Sequence, residues 1–254
     1  MGFQFKSFWL ICLMAIFLVA CNDTKTIEPK ETKTTQATPT STITKDDHAG
    51  HGHGESTPVD DAVTNADFDV FDKPYATENS EQVVVYEFFG YSCPHCFSFQ
   101  PYMEKWMEGQ PDYVKLIRVP VNFQPNNNSW QILQQAYFTS EAMGIVEKSH
   151  LKLFNAIHTD RKRFNSIEDL AQWYEDEIGI NKNEFLSTAS SFILDSKLRK
   201  ADNMTIKMQI TSTPTIIVNG KLRPSKRAQN RERMMKVLDF LVEKEANTMG
   251  LIKE

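Results

Sequence analysis

Two cysteines held two residues apart, in Cys93-Pro94-His95-Cys96, are the residues of this 254-residue chain best suited to chemistry. A pair at this spacing can close a short disulfide ring or open to a dithiol, and so can trade electrons with other thiols. The chain has four cysteines, and the other two, Cys12 and Cys21, lie near its start. So few cysteines do not make a disulfide-stapled scaffold. A structural zinc site usually wants four ligands. On spacing alone, half of a metal site and an inert pair therefore remain open alternatives.

The flanking sequence says how the pair is held. Val83 to Phe89 is β-branched and aromatic and apolar on both faces, which predicts a strand in the middle of a sheet covered on both sides. Cys93 to Glu108 reads as helix. A strand running into C-x-x-C and then a helix places Cys93 at a helix N-terminus, where free N–H groups and the helix dipole favour a thiolate. Pro94 suits the first helical position, since it has no N–H to leave unsatisfied. Cys96 sits one turn in. His95 adds a second donor, or a positive charge, near the Cys93 sulfur. If these effects lower the Cys93 pKa by about 3 units, the thiolate gains about 4 kcal/mol. At about 1.4 kcal/mol per 30 mV the pair becomes some 90 mV more oxidising, so it should donate its disulfide rather than reduce others. Glu87 lies on the same strand among apolar residues. Burial there predicts a raised pKa unless a partner compensates.

The remaining elements set these residues in order. Phe68, Val70 and Phe71 suggest an edge strand, and Val114 to Val121 a further one. A helical block follows, with apolar faces at Leu151, Phe154 and Ile157 and at Ile167, Leu170, Ala171, Tyr174 and Ile178. Ser166-x-x-Asp169 reads as a capping box before the second of these. Thr213-Pro214 opens a strand that ends in Asn219-Gly220, a return strand begins at Lys221, and Met234, Val237, Leu238 and Leu241 mark a last amphipathic helix. The order β, β, α, β, helical block, β, β, α is α/β, with an insertion at about 126–208 inside a domain spanning 64–254. No internal repeat and no glycine-rich phosphate loop is found.

Residues 1–20 hold one charge, Lys6, and an apolar run from Phe8 to Ala20, too short for the roughly 20 residues that span a bilayer. They read as a signal peptide. Leu18-Val19-Ala20-Cys21 resembles the bacterial lipobox, which implies that Cys21 is acylated and anchors the mature chain to a lipid bilayer, facing an oxidising compartment. An uncleaved anchor with an incidental cysteine is the alternative. Residues 21–63 carry almost no large apolar side chain and read as a disordered tether with a reach of roughly 35 Å. Within it His48, His51 and His53 could bind a transition metal, or be incidental in a solvated linker. The formal net charge of -5 gives no electrostatic reason to expect nucleic acid as a partner.

Glu87-Phe-Phe-Gly-Tyr-Ser-Cys-Pro-His-Cys96, Val121-Asn122-Phe123 and Thr213-Pro214 with Val218-Asn219-Gly220-Lys221 together resemble the DsbA family of bacterial thiol:disulfide oxidases, especially its lipoprotein members. The resemblance covers about residues 65–254 and implies a thioredoxin fold with an inserted helical domain. It implies that Cys93 attacks substrate and Cys96 resolves the mixed disulfide, with no cofactor beyond the redox-active disulfide. It makes Pro214 a cis-proline facing the dithiol, Thr213 the main-chain partner of substrate peptide, Glu87 a proton carrier near Cys96, and Arg118 its buried basic partner. It implies clients that are unfolded or folding secreted proteins with free cysteines, and reoxidation by a DsbB-like, quinone-linked membrane oxidase on the periplasmic side. Threonine before the proline also occurs in reductases and isomerases, so that direction stays open, as does a metal-binding or copper-relay lipoprotein using Cys93, Cys96 and the histidines.

Overall fold

The computed structural model describes residues 62–77, 81–228 and 230–252. The expected leader, Cys21 and the tether up to residue 61, with His48, His51 and His53, lie outside the described residues, while Val63 at the tether's end packs against the core. The elements are β1 (Phe68–Val70), β2 (Val83–Phe89), α1 (Pro94–Glu108), β3 (Val114–Pro120), α2 (Asn128–Ala142), α3 (Val146–His158), α4 (Ile167–Ile178), α5 (Lys182–Ala189), α6 (Phe192–Lys207), β4 (Thr215–Val218), β5 (Leu222–Pro224) and α7 (Arg231–Thr248). One sheet takes all five strands in the order β1-β5-β4-β2-β3.

Strand β2 is central because both its edges and both its faces are used. It runs parallel to β3, which requires the crossover that α1 supplies, and antiparallel to β4. All seven of its residues are buried. Val83 and Val85 join a core with Phe99 and Met103 of α1 and Val237, Leu238 and Leu241 of α7. Val84, Tyr86 and Phe88 belong to a second core built largely from α2 to α6. Glu87 is the one charged residue of this strand.

The β4–β5 turn uses Asn219 and Gly220 at φ 48° and 67°, the doubly positive pair that a tight hairpin favours. A Cβ at Gly220 would collide with the Tyr75 carbonyl oxygen. Asn219 accepts from the Val84 N–H and donates to the Glu245 carboxylate of α7, each at 2.8 Å, which ties the turn to the central strand and the last helix.

Five helices, α2 to α6, intervene between β3 and β4. Ser166 caps α4 by accepting from the Asp169 N–H at 3.1 Å, while the Asp169 carboxylate reaches back to the Asn165 N–H at 3.0 Å. The capping box closes one residue earlier than its usual form. Helix α3 differs from its expected face. Phe154 is fully buried, but Leu151 is 37% exposed. The buried stripe runs instead through Ser149, His150, Leu153, Phe154 and Ala156. Two polar side chains can lie in that stripe because both are hydrogen-bonded: Ser149 to the Ile145 carbonyl, His150 to Gln100 and Tyr91.

Candidate active site

Cys93 is the N-cap of α1, with extended φ and ψ of -89° and 114°, and its Sγ accepts from the Cys96 N–H at 3.3 Å. Pro94 takes the first helical position. Both cysteines are free thiols, Cys93 partly exposed and Cys96 fully buried. Their environments separate their acidities. The Cys93 pKa is lowered to about 5, first by the hydrogen bond from the Cys96 thiol. Hydrogen bonds from Thr213 and from the main chain of Cys96 and His95 add to this, against the opposing effect of burial. The Cys96 thiol is pushed up by donating to Cys93 and by burial. One sulfur is therefore a thiolate at neutral pH and reachable, while the other keeps its proton and is shielded.

Facing the pair is the loop before β4. The Thr213–Pro214 peptide bond is cis. The Cys93 Sγ lies 3.4 Å from the Thr213 carbonyl oxygen. His95, Thr213 and Pro214 share the lining of a cleft of about 520 Å³ with Tyr102, Arg231 and Met234. Arg231 lies over the Tyr102 ring at 5.7 Å, and its guanidinium also donates to the Ser98 hydroxyl.

Behind the dithiol, a buried polar chain crosses from the sheet to the insertion. Arg118 Nε donates to Glu87 Oε2 at 3.1 Å, and Gln100 Nε2 donates to Glu87 Oε1 at 2.8 Å. Gln100 Oε1 lies 3.1 Å from His150 Nε2, and His150 Nδ1 lies 2.8 Å from the Tyr91 hydroxyl. Donor roles follow in one direction: Tyr91 O–H to Nδ1, Nε2–H to Gln100, and the Gln100 amide to the carboxylate. Burial holds the His150 pKa well below its ordinary value, so the ring is neutral, as this chain of bonds requires. Burial pushes the Glu87 pKa up, against the pull of Arg118 and Gln100. Gln100 lies four residues after Cys96, so both project from one face of α1.

Residues 84–239 match the family model described as a DSBA-like thioredoxin domain. The chain belongs to the DsbA family. Thiol:disulfide interchange protein DsbA of Pseudomonas aeruginosa is 32% identical over 193 residues, covering 76% of this chain and 90% of its own length. The DsbA of Azotobacter vinelandii is 37% identical over 165 residues, covering 65% and 75%. The crystal structure of Pseudomonas aeruginosa DsbA matches with a TM-score of 0.68 at 32% identity over 75% of this chain and 97% of that one. The fold is thus that of the DsbA thioredoxin domain, and the protein is a thiol:disulfide oxidoreductase.

The DsbA-type fold brings Cys93, Pro94, His95, Cys96, Thr213 and Pro214 to one place and puts Glu87 and Arg118 in contact. His95 meets the sulfur through its main-chain N–H, while its exposed side chain lines the cleft beside Pro214. Sequence reasoning missed Gln100, Tyr91 and His150, and also His158, whose Nε2–H donates to the Tyr91 carbonyl at 2.8 Å and whose ring stacks on Phe97 at 5.0 Å. Gln100 could have been found from its spacing to Cys96. The two histidines sit 50 or more residues from their partners, and nothing local marks them. Among the described residues, no group of three or more His, Cys, Asp or Glu is placed to hold a metal ion.

Proposed function

We propose that this DsbA-family protein oxidises the cysteines of secreted proteins, with Cys93 as the attacked and attacking sulfur and Cys96 as the resolving one. The observation that carries this reading is the split acidity of the pair, with the partly exposed Cys93 at about 5 and the buried Cys96 raised. A thiolate stable at neutral pH is a good leaving group and stabilises the dithiol state, so the disulfide state is a strong oxidant. A client thiolate attacks the Cys93 sulfur and Cys96 leaves. The client's second thiolate then attacks the client sulfur of the mixed disulfide, and Cys93 departs as thiolate. The client gains a disulfide, and the dithiol passes two electrons to a quinone-linked membrane oxidase.

Thr213 presents its main chain beside the sulfur, where an extended client segment can pair by strand addition. Glu87, whose pKa burial raises, would take up or return the Cys96 proton. Arg118 keeps the buried carboxylate from standing unpaired. The lipobox-like Leu18 to Cys21 supports an acylated anchor at Cys21, which would hold the domain at the periplasmic side of a bacterial membrane.

Trapping in cells tests this reading. Cys96→Ala, whose Cys93 thiolate can attack a disulfide of a secreted protein and expel one client thiolate but has no partner to resolve the product, should accumulate mixed disulfides in the membrane fraction, and Cys93→Ala should accumulate none. Equal trapping by the two variants would overturn the assignment, and a soluble trapped species with an unmodified Cys21 would overturn the anchor.

A further inference from the structure

A second cleft of about 520 Å³ meets the active-site loop from the insertion side. It shares no lining residue with the cleft beside Pro214. Ser92 and Pro94, the two neighbours of Cys93, form one wall. The α3–α4 loop brings Arg161, Lys162 and Arg163, all exposed, and His158 comes from the end of α3. No lining residue carries a carboxylate. Lys162 makes a loose, exposed pair with Glu177 at 3.4 Å. Among the described residues Arg161 and Arg163 make no ion pair at all, which leaves their charge available to a ligand. Ser129 and Asn165 add polar groups that can hydrogen-bond. The α1 and α2 starts, at Pro94 and Asn128, have no acidic residue in their first turns, so their positive dipole ends add to the same field.

We propose that this cleft seats an acidic stretch of the client polypeptide, next to the cysteine that reacts with Cys93. The proposal rests on the oxidase reading and names the kind of client that reading would favour. The occupant follows from charge complementarity and position. Three consecutive cations with one loose carboxylate partner share the cleft with Ser92 and Pro94, the residues on either side of Cys93. A local basic cleft at the active-site loop would steer the cysteines of acidic clients to the dithiol. Lys162 and its neighbours would act as recognition residues. The cleft beside Pro214 contains Glu232 as well as Arg231 and has no such bias.

The test uses the oxidised full-length protein in detergent and peptides with a single cysteine. The peptide thiolate attacks the Cys93 sulfur, the Cys93–Cys96 bond breaks, and Cys96 takes up the proton the peptide thiol released. Mixed-disulfide formation is followed by stopped flow. Two peptides carry three glutamates before or after the cysteine, two carry three lysines there, and each protein's rates are normalised to its rate with dithiothreitol. The comparison protein carries Arg161→Gln, Lys162→Gln and Arg163→Gln together. Comparing one peptide across two proteins removes the peptide's own reactivity. At low salt the rate with at least one acidic peptide should fall about tenfold in the triple variant, within the range of electrostatic steering, while the lysine peptides do not slow. High salt should erase the difference. If the acidic peptides lose no more rate than the lysine peptides, the proposal fails, although both proteins still oxidise thiols. If neither protein oxidises any thiol, the underlying oxidase reading fails instead.

Discussion

At the scale of single residues the site is an asymmetry between two sulfurs. Cys93 owes its low pKa first to the Cys96 thiol and then to Thr213 and main-chain donors, and the imidazole of His95 is not among these causes. Cys96→Ala should therefore raise the midpoint of the Cys93 thiolate absorbance titration from about 5 by more than His95→Ser does. A larger rise in His95→Ser would place the imidazole at the sulfur. Glu87 offers a second check, through the pH dependence of stability. Its folded pKa is raised by burial above the ordinary 4.5, so the folded state takes up its proton before the unfolded chain does. The stability of wild type relative to Glu87→Gln should then rise as pH falls through the folded pKa towards about 4.5. Urea unfolding of the two proteins at a series of pH values reads this. A difference that shrinks on acidification would mean the Arg118 pairing outweighs burial. Cys93, Cys96 and Glu87 were legible because each stands inside a local pattern of strand or helix start, while the place of Pro214 came from the family resemblance. His150 was not legible, because a hydrogen bond across 50 residues leaves no local trace.

At the scale of elements, the insertion is locked to the dithiol by rings. Phe154 of α3 lies 4.8 Å from Tyr91, 6.0 Å from Phe89 and 6.1 Å from Phe97, between centroids. These three come from the loop before Cys93, the end of β2 and the first turn of α1. Removing a buried phenylalanine costs about 3–5 kcal/mol. Phe154→Ala should lose that much in urea unfolding, and a loss under about 1 kcal/mol would mean α3 is not a support of the site. Strand β2 was legible to its ends because every residue faces a core. The α3 face was drawn one position off, through Leu151, because an apolar reading has no reason to put His150 and Ser149 inside. Only the tertiary partners Gln100, Tyr91 and the Ile145 carbonyl make those polar positions tolerable.

At the scale of the whole molecule, the fold presents the reactive sulfur between two clefts and keeps its partner sulfur in the core. One cleft takes its character from the Thr213–Pro214 loop and α7, the other from the insertion. On the proposed function, this arrangement makes the Cys93–Cys96 disulfide a donor. The reduction potential tests it most directly, measured by equilibrating the full-length protein with glutathione redox buffers at pH 7. With Cys93 at about 5, the thiolate stabilises the reduced state throughout the neutral range. The potential should therefore be less negative than about -180 mV, the value of protein disulfide isomerase. A potential at or below about -270 mV, that of thioredoxin, would make the pair a reductant and contradict the account.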